Sequence, residues 1–292
     1  MPSTTRRSEY RPFAESTPKQ RIVEAIGRFR YLTAEQLARL LYSPNSVTFV
    51  YEHCRRLLDE GYLDHLELPR LSNEGRLKRV YCLGPRGARY LAARDDGTMR
   101  FRPAEERERD YPYLEHRLYA NWLLILLGKL PGLELAAFAT ERELKRDPIH
   151  VQVPLEAGGK ERVYVCPDGW VDLRAGKEQY CLALELDNGS HERKAFQHKV
   201  RALVHYARGP YQHRFGTTSI TIVFLTPRGR GRLEEMLRWT EAVLSAHEEE
   251  SDLFRFAAFD PGQVEPDYLL SPVWSRPFER RSLPLIEGVP EP

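Results

Sequence analysis

No stretch of the 292 residues approaches the roughly 20 consecutive apolar positions that a membrane-spanning helix needs. The opening Met1-Pro2-Ser3-Thr4-Thr5-Arg6-Arg7 also lacks the apolar core of a secretory signal. A cytoplasmic protein with no membrane partner is therefore expected. Cysteine is scarce: Cys54, Cys82, Cys166 and Cys181 are scattered without a CxxC pair. That points away from a zinc site or a disulfide framework and toward free buried thiols. No His-x-His pattern occurs, so one common metal arrangement for covalent DNA chemistry is missing. Strong net charge is absent too, but the +2 total hides an asymmetry: from Lys19 to Arg94 there are 14 Lys and Arg against 8 Asp and Glu. A basic N-terminal third points to a polyanionic partner. The length and a 41% hydrophobic content suit two domains rather than one.

Residues 1–16 are polar and without periodicity, and are read as a mobile arm. Thr17 with Pro18 opens a helix carrying Ile22, Val23, Ile26 and Phe29 at helical spacing. The Thr33-to-Gln36 capping box opens a second, with Leu37, Leu40 and Leu41 on one face. A third follows Ser43-Pro44-Asn45-Ser46, with Val47, Val50, Cys54, Leu57 and Leu58 inward and Thr48, Arg55 and Arg56 outward. Two alternating runs, 62–68 and 78–83, then read as a β-hairpin whose tip region holds Arg70, Arg76, Lys78 and Arg79. This layout resembles a winged helix, closed by a helix from Gly84. The resemblance implies that the third helix enters the major groove of double-stranded DNA while the wing lies along phosphates. The competing reading is a protein-interaction module with a solvated basic face. Residues 17–94 form this domain, and the charge-rich stretch 95–110 reads as a linker or an exposed helical spacer.

Residues 111–260 form a second expected domain, and the Pro-rich 261–292 a tail. Its first helix, 111–130, is apolar enough to be buried on most sides and carries His116 near its start. A strand runs into Glu141. The run Val163-Tyr164-Val165 leads to Pro167-Asp168-Gly169, read as turn chemistry at a strand end. The run Tyr180–Asp187 alternates, so Glu185 and Asp187 share one face and Leu184 and Leu186 the other. Carboxylates converging from two strands repel unless a hard, oxygen-liganded cation offsets them, which makes Asp168 and Glu185 candidate metal ligands. Ser190 is expected to cap the next helix, on which Lys199 and Tyr206 follow a core stripe.

Helix, three strands, helix, strand, with Pro167-Asp168 and Glu185-Leu186-Asp187 in place, resembles the PD-(D/E)XK nuclease core within an α/β (α+β) fold. Asp187 stands where that family usually has lysine. In some branches the lysine moves to the following helix, where Lys199 stands. With the winged helix in front, residues 17–260 resemble the replication-relaxation family of actinobacterial and chloroflexal plasmids and integrating elements. The resemblance implies a DNA endonuclease (nicking) activity in which Asp168 and Glu185, with the Leu186 carbonyl, hold Mg²⁺ or Mn²⁺, Lys199 positions or deprotonates water, and Glu141 or His116 completes the ligand set. Tyr206 is either a packed aromatic or a covalent nucleophile. The rival reading is a non-catalytic replication initiator or regulator that keeps a degenerate core. A homodimer, or replication or transposition partner proteins, are compatible with either.

Overall fold

The computed structural model describes residues 17–68, 79–94, 102–155, 158–189, 191–279 and 281–288. The expected N-terminal arm, the wing positions Arg70, Arg76 and Lys78, and the expected cap Ser190 lie outside these residues. The class is mixed α/β, as the alternation of periods suggests, and the chain divides after Ile125 into two compact units.

In the first unit, α1 (Pro18–Phe29) and α2 (Ala34–Leu41) each begin with a capping box. The Thr33 hydroxyl accepts from Gln36 N–H at 3.2 Å, and the Gln36 side chain accepts from Thr33 N–H at 3.0 Å. Four N-terminal amides of a helix lack intrahelical partners, so such reciprocal bonds fix where each helix starts. Helix α3 (Val47–Asp59) buries Val50, Cys54 and Leu57 and leaves Thr48, Arg55 and Arg56 exposed. Strands β1 (Leu63–Glu67) and β2 (Arg79–Leu83) pair antiparallel, Leu63 opposite Leu83. Leu32 adds a bridge to Tyr81 on the other side of β2. Helix α4 (Pro85–Ala92) lies so close to the start of β1 that a Cβ on Gly87 would sit 2.1 Å from the Tyr62 carbonyl oxygen. Glycine is required there by space.

Two expected boundaries are corrected in this unit. Part of the stretch 95–110 is helix α5 (Pro103–Arg107), and it packs rather than links: Glu106 is 6% exposed, accepts from Arg30 Nε, and receives the Tyr31 hydroxyl on its carbonyl at 3.0 Å. Helix α6 (Tyr111–Leu127) belongs up to Ile125 with the N-terminal unit, not the C-terminal one. Polar side chains show why. Gln36 Nε2 donates to the Leu118 carbonyl at 2.7 Å, and Asn121 Nδ2 donates to Tyr31 and Phe29 carbonyls at 2.7 and 3.2 Å.

The second unit holds a five-stranded sheet in the order β3 (Glu134–Thr140), β6 (Gly169–Ala175), β7 (Glu178–Leu186), β8 (Thr221–Thr226), β9 (Phe254–Ala258). The first three run antiparallel to one another and the last three parallel. Between β3 and β6 come α7 (Glu141–Leu144) and a separate ribbon of β4 (Ile149–Pro154) with β5 (Lys160–Val165). The Val163–Val165 run is thus not the sheet strand it was expected to be. Pro167 cannot donate to a ladder, so the chain leaves the ribbon there, and Asp168 stands immediately before β6. Helix α8 (Arg193–Ala207) starts three residues beyond the expected cap, with Glu192 at its N-cap, and α9 (Pro210–Phe215) follows it. Phe196, Val200 and Leu203 of α8 share a core with Ala183, Phe224, Phe254 and Phe256 of the sheet. Helix α10 (Arg230–Leu244) precedes β9 and adds Met236 and Leu244 to that core.

The expected tail is also corrected. Phe256 and Ser275 exchange two 2.8 Å backbone bonds, Trp274 pairs with Leu283, and Trp274 and Leu269 are wholly buried. The described residues past Asp260 therefore belong to the second unit. Aromatic burial explains it, since Trp274 also finds a partner for its indole N–H on the Leu269 carbonyl at 2.9 Å.

Candidate active site

The register of the sheet brings three chain segments to one end. Thr140 opposes Gly169, and Gly169 opposes Leu184, so the exit of β3, the entry of β6 and the exit of β7 lie side by side. Asp168 continues the β6–β7 ladder with its side chain: its N–H donates to the Leu184 carbonyl at 2.8 Å, and its Oδ2 accepts the Leu186 N–H at 2.9 Å. Because residues alternate along β7, Glu185 turns to the face that α8 covers, and it is 1% exposed. Lys199, two turns into α8, meets it there, with Nζ 2.5 Å from Glu185 Oε2. Burial opposes the ammonium charge, but the carboxylates of Glu185, Asp168 and, less strongly, Asp187 outweigh it and hold the lysine pKa above its ordinary value. Lys199 is thus held as an ammonium by these acids, and in that form it can orient an oxygen or stabilise developing negative charge.

Asp187 does not share this volume in the manner expected. Arg232 of α10 grips it, with Nε 2.7 Å from Oδ1 and Nη2 3.0 Å from Oδ2. Gly189 N–H donates to Oδ1 at 2.8 Å, and His191 Nδ1 lies 3.3 Å from Oδ2. Burial works against this carboxylate, yet the His191, Arg232 and Gly189 bonds prevail and keep its pKa well below the usual range. The acid at the expected lysine position is therefore neutralised by a residue 45 positions away, and the counter-charge to Glu185 comes from Lys199. Arg232 and His191 were not anticipated. Nothing local in the sequence marks a pairing over that distance.

Glu141 opens α7, where the Thr140–Glu143 capping box sets the helix start, and its Oε1 lies 2.5 Å from Lys145 Nζ. Among the described residues no group of three or more His, Cys, Asp and Glu side chains is arranged to hold a metal ion. Asp168 and Glu185 are oxygen donors of the kind that Mg²⁺ takes, since it keeps several waters and needs only one or two protein carboxylates. Tyr206 is 1% exposed and stands edge-on to Tyr211 at 5.5 Å, and burial pushes its phenol pKa far up. It is a core aromatic, so its place among catalytic candidates is withdrawn: a nucleophile must reach substrate. His116 lies half-buried on α6, in the other unit. There, Thr48, Arg55 and Arg56 share the exposed face of α3 with Phe49 and Tyr51, each 41% exposed, and Arg79 is exposed at the start of β2.

The model of a family described as replication-relaxation matches residues 23–220, more than half of the chain. The chain belongs to the replication-relaxation family. Membership ties it to replication and relaxation, and the matched span takes in α3, the hairpin, Asp168, Glu185 and Lys199 of this replication-relaxation protein. It ends before α10, so Arg232 lies outside it. No curated protein and no solved structure matches the chain.

Proposed function

We propose that this replication-relaxation protein binds double-stranded DNA through a winged helix formed by α1–α4 and the β1–β2 hairpin, and nicks DNA with Mg²⁺ or Mn²⁺ at a PD-(D/E)XK-like centre of Asp168, Glu185 and Lys199. The observation that carries the reading is the Lys199–Glu185 ion pair, because it supplies from α8 the cation that the strand lacks at Asp187. Asp168 and Glu185 would hold the divalent ion, which when bound supplies positive charge at the scissile phosphate and an acidified water. The chain's own residues do the rest. The Leu186 N–H fixes the Asp168 carboxylate, and α8 fixes the Lys199 ammonium against the same strand end. That ammonium orients the attacking oxygen and stabilises charge on the phosphate. Arg232 keeps the third carboxylate turned to α10, so two acids rather than three would be left to hold the ion.

The rival reading, DNA binding without cleavage, draws on the Asp187–Arg232 pair, which removes the strand-borne lysine position from the chemistry. Supercoiled-plasmid nicking with Mn²⁺ decides between them, using wild type, Asp168→Asn, Glu185→Gln, Lys199→Ala and Lys199→Arg. Activity in wild type that is lost in the first three, with partial recovery in Lys199→Arg, supports nicking. Silence in wild type beside intact DNA binding supports the rival. For the α3 face, replacing Arg55, Arg56 and Arg79 by Ala should weaken duplex binding and lower the salt slope by about 0.9 for each phosphate that the variant no longer neutralises. An unchanged slope refutes it.

A further inference from the structure

The β4–β5 ribbon has two unlike faces. Val151 and Val153 are 4% and 1% exposed, and together with Val163 and Val165 they pack into the core beside α8. Glu161 is on that side too, and it reaches His198 Nε2 of α8 at 3.0 Å. The opposite face carries His150, Gln152, Lys160, Arg162 and Tyr164, all exposed, with His150 opposite Tyr164 and Gln152 opposite Arg162 in register. Among the described residues neither Lys160 nor Arg162 is in an ion pair, and the ribbon's only carboxylate among those residues is turned away from them. Tyr164 is 44% exposed, an unusual place for a large ring, and among the described residues its only ring neighbour is His150 at 5.8 Å. A row of cations ending in an exposed aromatic is the chemistry that holds a single nucleic-acid strand: ammonium and guanidinium groups on phosphates, a ring under a base.

The row also leads somewhere. Lys160, Arg162 and Tyr164 alternate along one strand over roughly 13 Å, at about 3.3 Å per residue. Four Cα-to-Cα steps, at most about 14 Å, lead from Tyr164 to Asp168. We infer that the outer face of this ribbon is a binding platform for a single DNA strand, with Lys160 and Arg162 on its phosphates and Tyr164 stacked on a base beside the candidate active site. The inference presupposes that the chain acts on DNA, but not that it cuts it. A β-ribbon can also enter a duplex groove, where an exposed tyrosine ring at the base of the ribbon would gain no stacking partner. The exposed ring therefore selects the single strand.

Fluorescence anisotropy of labelled oligothymidylate, and of a duplex of equal length, is measured in EDTA with the full chain. The variants are Lys160→Ala/Arg162→Ala, Tyr164→Ala, Tyr164→Phe and, for comparison, Arg55→Ala/Arg56→Ala of α3. The double ribbon variant and Tyr164→Ala should each weaken single-strand binding about fivefold or more, and Tyr164→Phe, which keeps the ring, by less than about twofold. The double variant should also lower the salt slope by about 1.4, at roughly 0.7 per phosphate of a single strand. The α3 variant should weaken duplex binding more than single-strand binding. Wild-type affinity in the ribbon variants, or an equal loss on duplex and single strand, overturns the platform. Because EDTA removes cleavage from the measurement, a silent nicking assay beside these losses refutes the nuclease reading alone.

Discussion

Changing Arg232 to Ala should destabilise the second unit more than any change at the exposed residues around it. The Asp187 and Arg232 side chains are 2% and 10% exposed, so their pairing is shielded from solvent. Removing one partner of a buried ion pair costs about 3–5 kcal/mol, chiefly because the other charge is left without compensation. Gly189 N–H and His191 still face Asp187 in the variant, so the low end, about 3 kcal/mol, is expected. At about 2–4 °C per kcal/mol for a domain of this size, the melting temperature should fall by roughly 6–12 °C. Asp187→Lys should fare no better, since it sets an ammonium against the guanidinium; it should not create a nuclease. Asp187→Asn/Arg232→Met removes both charges and should recover much of the loss. Urea unfolding followed by tryptophan fluorescence suits the question, because the Trp239 ring lies 4.8 Å from the Arg232 guanidinium. A loss below about 1 kcal/mol in Arg232→Ala, or an Asp187→Lys protein that folds normally and gains nicking, would refute the structural role given to this pair.

Acid should weaken the same contact. The Asp187 pKa is depressed in the folded state, so its contribution is present above the unfolded carboxyl value of about 3.9 and is lost as pH falls below about 4 toward the folded value. Urea midpoints of wild type should therefore drop more steeply between about pH 4 and 2 than those of Asp187→Asn; parallel curves would count against the assignment. The thiols should react in a fixed order: burial pushes Cys54 and Cys82 up to about 12, and Cys181 is 1% exposed, so Cys166, the one partly exposed thiol, should be modified first by a thiol reagent in the native protein. Peptide mapping that finds Cys54 or Cys82 modified first contradicts this. Asn121→Leu should destabilise the first unit by about 2 kcal/mol, because it strips the donor from two buried carbonyls at the end of α1. An unfolding midpoint equal to wild type would show that those carbonyls need no partner.

What could be read from sequence was local. Thr17 with Pro18 and Thr33 with Gln36 announce helix starts within four residues, and α1 and α2 begin there. The alternation of Leu184, Glu185 and Leu186 likewise places Glu185 on one face of its strand. β6 escaped notice because Gly169–Leu173 is buried on both faces, and a strand with no solvent side shows no alternation. The alternation in β5 marks a strand but is silent about which sheet it joins, so Val163–Val165 was assigned to the central sheet, and β4 was not read at all. Lys199 was reachable because family resemblance supplies a reason to look on the next helix, whereas Arg232 answers Asp187 from beyond α9 and β8. Buried charge pairs of that kind are set by the folded surface, not by any spacing along the chain.

The bridge between Phe256 and Ser275 has one more consequence. β9 is the last strand of the sheet, and an open last strand offers its unpaired amides and carbonyls to any other chain. Ser275 occupies part of that row and Trp274 packs behind it, so the segment after Asp260 acts as a guard against edge-to-edge association. A shortened protein ending near residue 260 would keep every candidate site residue yet expose the Phe254–Ala258 edge to its copies. Such a fragment should aggregate in light-scattering measurements where the full chain does not, and the guard sets the shortest piece of the molecule worth purifying.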